Sequence, residues 1–295
     1  MANPDDRNRA ESAEDGAFPA ESQEDLSPVV VVTGSTRGLG FALAREFLQR
    51  GCRVLVSGRS YEAVQGALAQ LTDRAGRVAG QPCDVTDPAQ VEVLWDGAVR
   101  RWGRVDIWIN NAGVGQDYLR AWELATLEVI RIVETNILGM MHGCRVALRG
   151  MRAQGRGAIY NVEGWGSDGQ HRDGLAVYGT TKRAVRYFSK ALAHEVATDE
   201  DPSQGRVTVG TLSPGMMVTD FLLGPMRRMA DAEQMRRVVN ILGDRPESVA
   251  AFLATKILAN RKNGARFAWL TGMKATWRFL SAALTPRGRR RNLFE

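Results

Sequence analysis

Four consecutive valines, Val29-Val30-Val31-Val32, follow a polar N-terminal stretch with no polar residue between them. An unbroken β-branched run of this kind predicts a strand covered on both faces, as in the interior of a parallel sheet. The apolar spacing then becomes helical over 41–50 and stops at Gly51. Arg53-Val54-Leu55-Val56-Ser57 predicts a second strand and 60–72 a second helix. A strand-like segment at 77–81 leads to Cys83-Asp84-Val85, and Asp87-Pro88 then caps and opens a helix that ends near Trp102. Val105-Asp106-Ile107-Trp108-Ile109 predicts a fourth strand, 126–152 a long helix, and Gly157-Ala158-Ile159-Tyr160-Asn161-Val162 a fifth strand. A helix from Ala176 and a sixth strand at 205–211 complete the pattern.

Short strands alternating with longer helices imply βαβ units. The expected fold class is α/β: a doubly wound parallel sheet of the Rossmann fold, three-layer α/β/α, in a single domain over 29–272. Residues 1–28 carry eight acids, two arginines and three prolines, and read as a disordered acidic leader. Residues 273–295 read as a basic C-terminal tail.

Hydrophobic residues make up 44% and charged residues 24% of the chain, as in an ordinary soluble protein, and no apolar run approaches a membrane span. The net charge of +6 conceals a polar division, because the leader is acidic while 261–295 hold nine Lys/Arg and one acid. The start, Met1-Ala2-Asn3-Pro4-Asp5-Asp6, has neither the basic and apolar regions of a secretory signal nor the composition of a transit peptide. Cys52, Cys83 and Cys144 are odd in number and far apart, which fits a reducing compartment, so a cytoplasmic protein is expected. His142, His171 and His194 show no ligand spacing, and no metal is expected.

Between the first strand and the first helix lies Thr33-Gly34-Ser35-Thr36-Arg37-Gly38-Leu39-Gly40. Glycines at a strand-to-helix turn let the backbone approach a pyrophosphate at the helix N-terminus, where N–H groups point outward. Sheets that bind NAD usually end their second strand on an acid that holds the ribose 2′-hydroxyl. Here the sequence is Ser57-Gly58-Arg59-Ser60, and Arg37 lies inside the turn. Two guanidinium groups suit a 2′-phosphate, so NADP(H) is the expected cofactor. Downstream, Tyr178 and Lys182 stand four residues apart, on one face if the segment from Ala176 is helical. A phenol beside an ammonium is a proton donor or acceptor that works near neutral pH.

Together these motifs resemble the short-chain dehydrogenase/reductase family over about 29–271. The turn Gly34-x-x-x-Gly38-x-Gly40, Asp84-Val85, Asn110-Asn111-Ala112-Gly113, Asn136, Tyr178-x-x-x-Lys182 and Ser213-Pro214-Gly215 fall in the family's order. The resemblance implies that Tyr178 is the general acid in carbonyl reduction, while Lys182 holds the nicotinamide ribose and lowers the tyrosine's pKa. It implies that Asn136 bends its helix and anchors a water. The turn residues Gly34 to Gly40, with Arg59, Asp84, Val85, Asn111, Ala112 and Gly113, would hold the cofactor, and Pro214, Gly215 and Thr219 would flank the nicotinamide. The family's serine, normally in an Asn-hydrophobic-Ser-Ser setting, is missing: the chain reads Asn161-Val162-Glu163-Gly164-Trp165-Gly166-Ser167-Asp168. Ser167 is the nearest hydroxyl and the candidate to take over. The departure also narrows the resemblance to chlorophyll b reductases over about 155–285, which reduce a formyl group to a hydroxymethyl group.

In the family the segment after the sixth strand, here 216–245, is the substrate lid. It contains Met216, Met217, Phe221, Leu222, Leu223, Met226 and Met229, which suit either a loosely shaped apolar ligand or packing on the core. The implied partner is a bulky hydrophobic carbonyl substrate, and the family prior is a homodimer or homotetramer. Beyond the lid, Trp269, Trp277, Phe279 and Leu280 alternate with Lys274 and Arg278, and Arg287, Arg289, Arg290 and Arg291 follow. Such a stretch can lie on an anionic membrane, pack on a second subunit, or form a solvated tail. No recognition motif accompanies the charge, so nucleic acid is not an expected partner. The opposing reading is a cofactor-binding regulatory protein that lost turnover with its serine.

Overall fold

The computed structural model describes residues 27–72, 76–199, 201, 206–226, 232–284 and 292–294. The leader up to residue 26, Gly205, Met229 and the arginines of 285–291 lie outside the described residues.

The valine run is strand β1 (Val29–Val32), and all four side chains are fully buried. Val30 and Val32 enter one core and Val31 the other, the alternation a strand imposes. Each such burial contributes about 1.5–3 kcal/mol relative to exposure. The remaining strands are β2 (Arg53–Gly58), β3 (Val78–Pro82), β4 (Ile107–Asn110), β5 (Arg156–Val162), β6 (Arg206–Ser213) and β7 (Arg266–Ala268). They pair in the order β3-β2-β1-β4-β5-β6-β7, parallel throughout. The helices in chain order are α1 (Gly38–Gln49), α2 (Tyr61–Gln70), α3 (Pro88–Trp102), α4 (Thr126–Val133), α5 (Gly139–Ala153) and α6 (Ala176–Thr198). After them come α7 (Asp220–Met226), α8 (Ala232–Leu242), α9 (Pro246–Ala259) and α10 (Gly272–Leu284). Helices α1, α2 and α9 bury their apolar sides on one face of the sheet, and α3, α5 and α6 on the other. The doubly wound three-layer architecture read from the sequence is therefore the observed one.

Four local readings change. The expected helix over 126–152 is interrupted by a π-helical stretch at Glu134–Leu138, which contains Asn136. One wider turn shifts the hydrogen-bond register but leaves the apolar spacing almost unchanged, so the pattern could not show it. The fourth strand starts at Ile107 rather than Val105, because the Gln154 side chain binds both backbone groups of Val105. Strand β6 runs on to Ser213, two residues past the expected end. Strand β7 was not anticipated; three residues with a charged start carry almost no periodic signal.

Candidate active site

The strand order reverses at β1, which pairs with β2 on one side and β4 on the other. Doubly wound sheets bind ligands in the crevice at the carboxyl ends of the strands beside such a reversal. The glycine turn lies there, back to back with the loop after β4. Thr33 Oγ1 accepts from the N–H groups of Asn111 and Ala112 at 3.0 and 3.1 Å. Asn111 Nδ2 donates to the carbonyls of Thr33 and Gly34, both at 2.9 Å. Gly34 has φ of +61°, and a Cβ there would lie 2.8 Å from Ala112 Cα, so both conformation and space require glycine. No side chain caps the N-terminus of α1, which leaves its first N–H groups facing the crevice. The turn therefore fits a pyrophosphate.

Most of the expected cofactor residues line a single cleft of about 1410 Å³: Gly34, Thr36 to Gly40, Arg59, Asp84, Val85, Asn111 to Gly113, Pro214, Gly215 and Thr219. Ser35 is the correction. Its hydroxyl donates to the Val32 carbonyl at 2.6 Å and accepts from Ser57 N–H at 2.9 Å, while its own N–H donates to the Ser57 carbonyl. It is fully buried and joins β1 to β2 beneath the cleft. Arg37 and Arg59 are exposed at the cleft, and their side chains have no hydrogen bond or ion pair among the described residues. A Cβ at Gly58 would meet Thr36 Cγ2 at 2.5 Å, so a side chain in that place has no room.

Helix α6 carries Tyr178 and Lys182 one turn apart, both buried and both lining the cleft. Lys182 Nζ donates to the Val162 carbonyl at 3.3 Å and stands 5.7 Å from the centre of the tyrosine ring. The expected lowering of the tyrosine's pKa is not what this arrangement gives. Burial, with a smaller contribution from Tyr118, pushes the Tyr178 phenol well above its usual range. Burial also lowers Lys182 to about 8, and the negative charge of Glu163 opposes that in part. Phe221 from α7 lies against Tyr178, ring centres 5.9 Å apart.

Asn136 projects from the π-helical stretch. Its Oδ1 accepts from Val114 N–H at 2.8 Å, and its Nδ2 donates to the Val114 carbonyl and to Thr181 Oγ1 at 2.9 and 3.1 Å. The side chain thus ties the loop after β4 to α6. Sequence reasoning missed Gln116. Helix α6 starts after Leu175, whose side chain makes no cap. Gln116 supplies the acceptor instead: its Oε1 takes the Tyr178 N–H at 2.7 Å, and its Nε2 donates to the Gly174 carbonyl at 2.7 Å. A cap that comes from 62 residues away leaves no local trace in sequence.

The altered serine loop has its own structure. Glu163 is buried and accepts from Arg266 of β7, at 3.0 Å from Nε and 2.8 Å from Nη2. Burial alone would raise the Glu163 carboxyl, but hydrogen bonds from Arg266, Thr211 and Ser167 with the arginine's charge bring it below the usual carboxylate range. Ser167 lines the cleft, yet its hydroxyl donates to Glu163 Oε2 at 3.1 Å. Gly164 lies directly against the proposed acid: a Cβ there would be 2.3 Å from Tyr178 Oη and 3.0 Å from Lys182 Cγ.

Opposite the cofactor end, Met216 and Met217 line the cleft with Leu222, Met235, Val238 and Phe279. Met226 and Met235 are buried in a small core of their own. Both readings of the methionines thus hold: Met217 lines the cleft, Met226 lies in the small core, and Met216 and Met235 belong to both surroundings. Arg278 and Lys274 of α10 turn inward. Arg278 pairs with Asp244 at 2.7 Å, and Lys274 Nζ sits 3.2 Å above the Trp269 ring. No helix among the described residues is long and apolar enough to cross a membrane, and no group of His, Cys, Asp and Glu among them could hold a metal.

A glycine turn at the reversal point of a doubly wound sheet, with a buried Tyr-x-x-x-Lys helix beside it, defines a nucleotide-dependent oxidoreductase site. The chain belongs to the short chain dehydrogenase family, whose model matches residues 28–227. It is 37% identical over an aligned length of 295 residues to chlorophyll(ide) b reductase NOL, chloroplastic, of Oryza sativa subsp. japonica, across 97% of this chain and 83% of that one. Among solved structures it resembles an actinorhodin polyketide ketoreductase with NADPH, at TM-score 0.72 and 29% identity over 84% of this chain and 97% of that one. It also resembles a 3-ketoacyl-(acyl-carrier-protein) reductase from Brucella melitensis complexed with NADH, at TM-score 0.72 and 27% identity over 84% and 98%.

Proposed function

We propose that this protein is an NADPH-dependent reductase that turns an aldehyde or ketone of a bulky hydrophobic compound into an alcohol, a formyl reduction of the chlorophyll b reductase kind being the particular reaction. One observation carries the reading: Tyr178 and Lys182 line the same cleft as the glycine turn and a set of methionine, leucine and phenylalanine side chains. The reduced nicotinamide supplies a hydride when bound. Tyr178, kept protonated by burial, gives its hydroxyl proton to the carbonyl oxygen, which suits the reducing direction. Lys182 lines the cleft, remains largely charged near neutral pH and would hold the nicotinamide ribose as the family resemblance implies. Arg37 and Arg59, whose side chains have no partner among the described residues, support NADP(H) over NAD(H).

The homodimer or homotetramer is supported by exposed apolar side chains along α4 to α6, among them Leu127, Ile130, Leu138 and Tyr187. Cytoplasmic location belongs to the same proposal and is supported by three unpaired, buried cysteines. Contact of the tail with a membrane gains nothing from α10, whose two cations are engaged inward. A regulatory protein without turnover has one observation in its favour, the glycine where the family keeps its serine.

NADPH oxidation measured against a panel of bulky aldehydes and ketones, including formyl-bearing tetrapyrroles, separates the two readings. Turnover is expected, and Tyr178→Phe should lower it about 10²-fold or more while leaving NADPH affinity intact. Binding of NADPH with no reduction of any panel member would refute the enzyme reading.

A further inference from the structure

Five cationic side chains line the cleft: Arg37, Arg59, Arg172, Lys182 and Arg266. Arg37 and Arg59 stand by the glycine turn, Lys182 by the proposed acid, and Arg266 is neutralised by Glu163. Arg172 alone has neither a carboxylate partner among the described residues nor a task in the reaction proposed above. It projects from the loop between β5 and α6 and is half-buried. Uncharged neighbours hold it in place. The guanidinium carbon is 5.2 Å from the centre of the Tyr118 ring, and Nη1 is 3.9 Å from the sulfur of Met235 on α8. Asp168, the acid nearest in sequence on the cleft wall, accepts from the Gln170 N–H. A guanidinium stacked on an aromatic face keeps its in-plane N–H groups available, and that fork matches a carboxylate.

We infer that Arg172 is a substrate-recognition residue, and that the apolar carbonyl substrate carries a carboxylate away from its reacting group, which Arg172 binds at the lid end of the cleft. This rests on the carbonyl-reductase reading for the reaction but not for the binding. Met235, Val238 and Leu222 put an apolar wall on the same cleft, with Asp168 and Gln170 as polar members, and a charge-assisted pair in a cleft is less screened than at the surface. The substrate class narrows to amphipathic acids: a large apolar body with a reducible carbonyl at one end and an anion at the other. A fully esterified relative would bury the guanidinium against a group that cannot accept two parallel hydrogen bonds from it.

The test compares a formyl-substituted porphyrin bearing one free propionic acid with its methyl ester, using the full chain. Kinetic constants come from NADPH oxidation, and affinity comes separately from quenching of tryptophan fluorescence. The acid should bind at least about tenfold more tightly than the ester, with the difference in KM rather than kcat. Arg172→Gln should bring the acid-to-ester ratio close to one, and Arg172→Lys should retain part of it. An acid-to-ester ratio of one in the unaltered protein overturns the inference. So does a ratio that survives in Arg172→Gln, or an equal loss for acid and ester, which would mean that Arg172 only braces α8. If neither compound is reduced yet the acid binds more tightly through Arg172, the reductase reading falls and the carboxylate subsite stands.

Discussion

Returning the family's serine to position 164 should damage this enzyme. The ideal Cβ of a residue there would lie 2.3 Å from Tyr178 Oη, 3.0 Å from Lys182 Cγ and 3.2 Å from Lys182 Cδ, whereas ordinary contact begins near 3.4 Å. The tyrosine ring is buried with Phe221 beside it, and the lysine is anchored on the Val162 carbonyl. Relief therefore requires moving the proposed acid by about 1 Å, a misplacement of the size that costs about 10²-fold in rate. Overpacking of this kind destabilises a fold by about 1–3 kcal/mol. Gly164→Ser and Gly164→Ala should both lose about two orders of magnitude in kcat, with melting temperature lowered by a few degrees and NADPH affinity nearly kept. Steady-state kinetics, thermal denaturation and a cofactor titration read the three quantities. The alanine variant is decisive, because the damage is assigned to the Cβ and not to the hydroxyl. Activity in Gly164→Ser that equals or exceeds that of the unaltered chain, or clearly exceeds that of Gly164→Ala, would refute the reasoning.

Two further outcomes follow from charge. Arg59→Ala should weaken NADPH binding about tenfold and leave NADH almost unchanged, since a 2′-phosphate contact is present only in the former; equal losses in isothermal titration would make Arg59 structural. Stability should fall above pH 9, because burial raises Cys52 to about 11 and Cys83 and Cys144 to about 12, so the unfolded chain loses thiol protons that the folded chain keeps. Lys182 acts in the opposite sense: its folded pKa of about 8 lies below the ordinary 10.5, so its contribution rises with pH across that window. Three thiols outweigh one ammonium, giving a decline of roughly 3 kcal/mol per pH unit near pH 10, at about 1.4 kcal/mol per proton. Urea midpoints at pH 8, 9 and 10 check it, and a midpoint that does not fall from pH 9 to pH 10 contradicts it.

The strands that make the core were legible because burial on both faces leaves continuous apolar runs, and the valines of β1 are the plainest case. Tyr178 and Lys182 were legible because helical spacing alone puts them on one face. Ser35 was misplaced because a turn's sequence does not say which of its residues points down into the sheet. The tyrosine's raised pKa was hidden for a related reason: two neighbours in sequence show charge but not burial. Glu163 and Gly164 were visible as departures, yet their meaning needed partners from far along the chain, Arg266 being 103 residues away. Gln116 had no such warning, since glutamine in a loop is unremarked until a helix start lacking its own cap comes to rest beside it.

The bridge from Glu163 to Arg266 also sets an order of events in the making of the protein. The ribosome delivers a chain N-terminus first. The glycine turn, Asn136, Tyr178 and Lys182 all precede Arg266, and β7 is the last strand in the chain and an edge strand of the sheet. Until it docks, Glu163 is a carboxylate without its cation, in a place where burial disfavours its charge. A C-terminally clipped chain that lacks Arg266 would thus keep every residue of the glycine turn and of the Tyr-x-x-x-Lys pair, while leaving the carboxylate of the loop beside the acid without its cation.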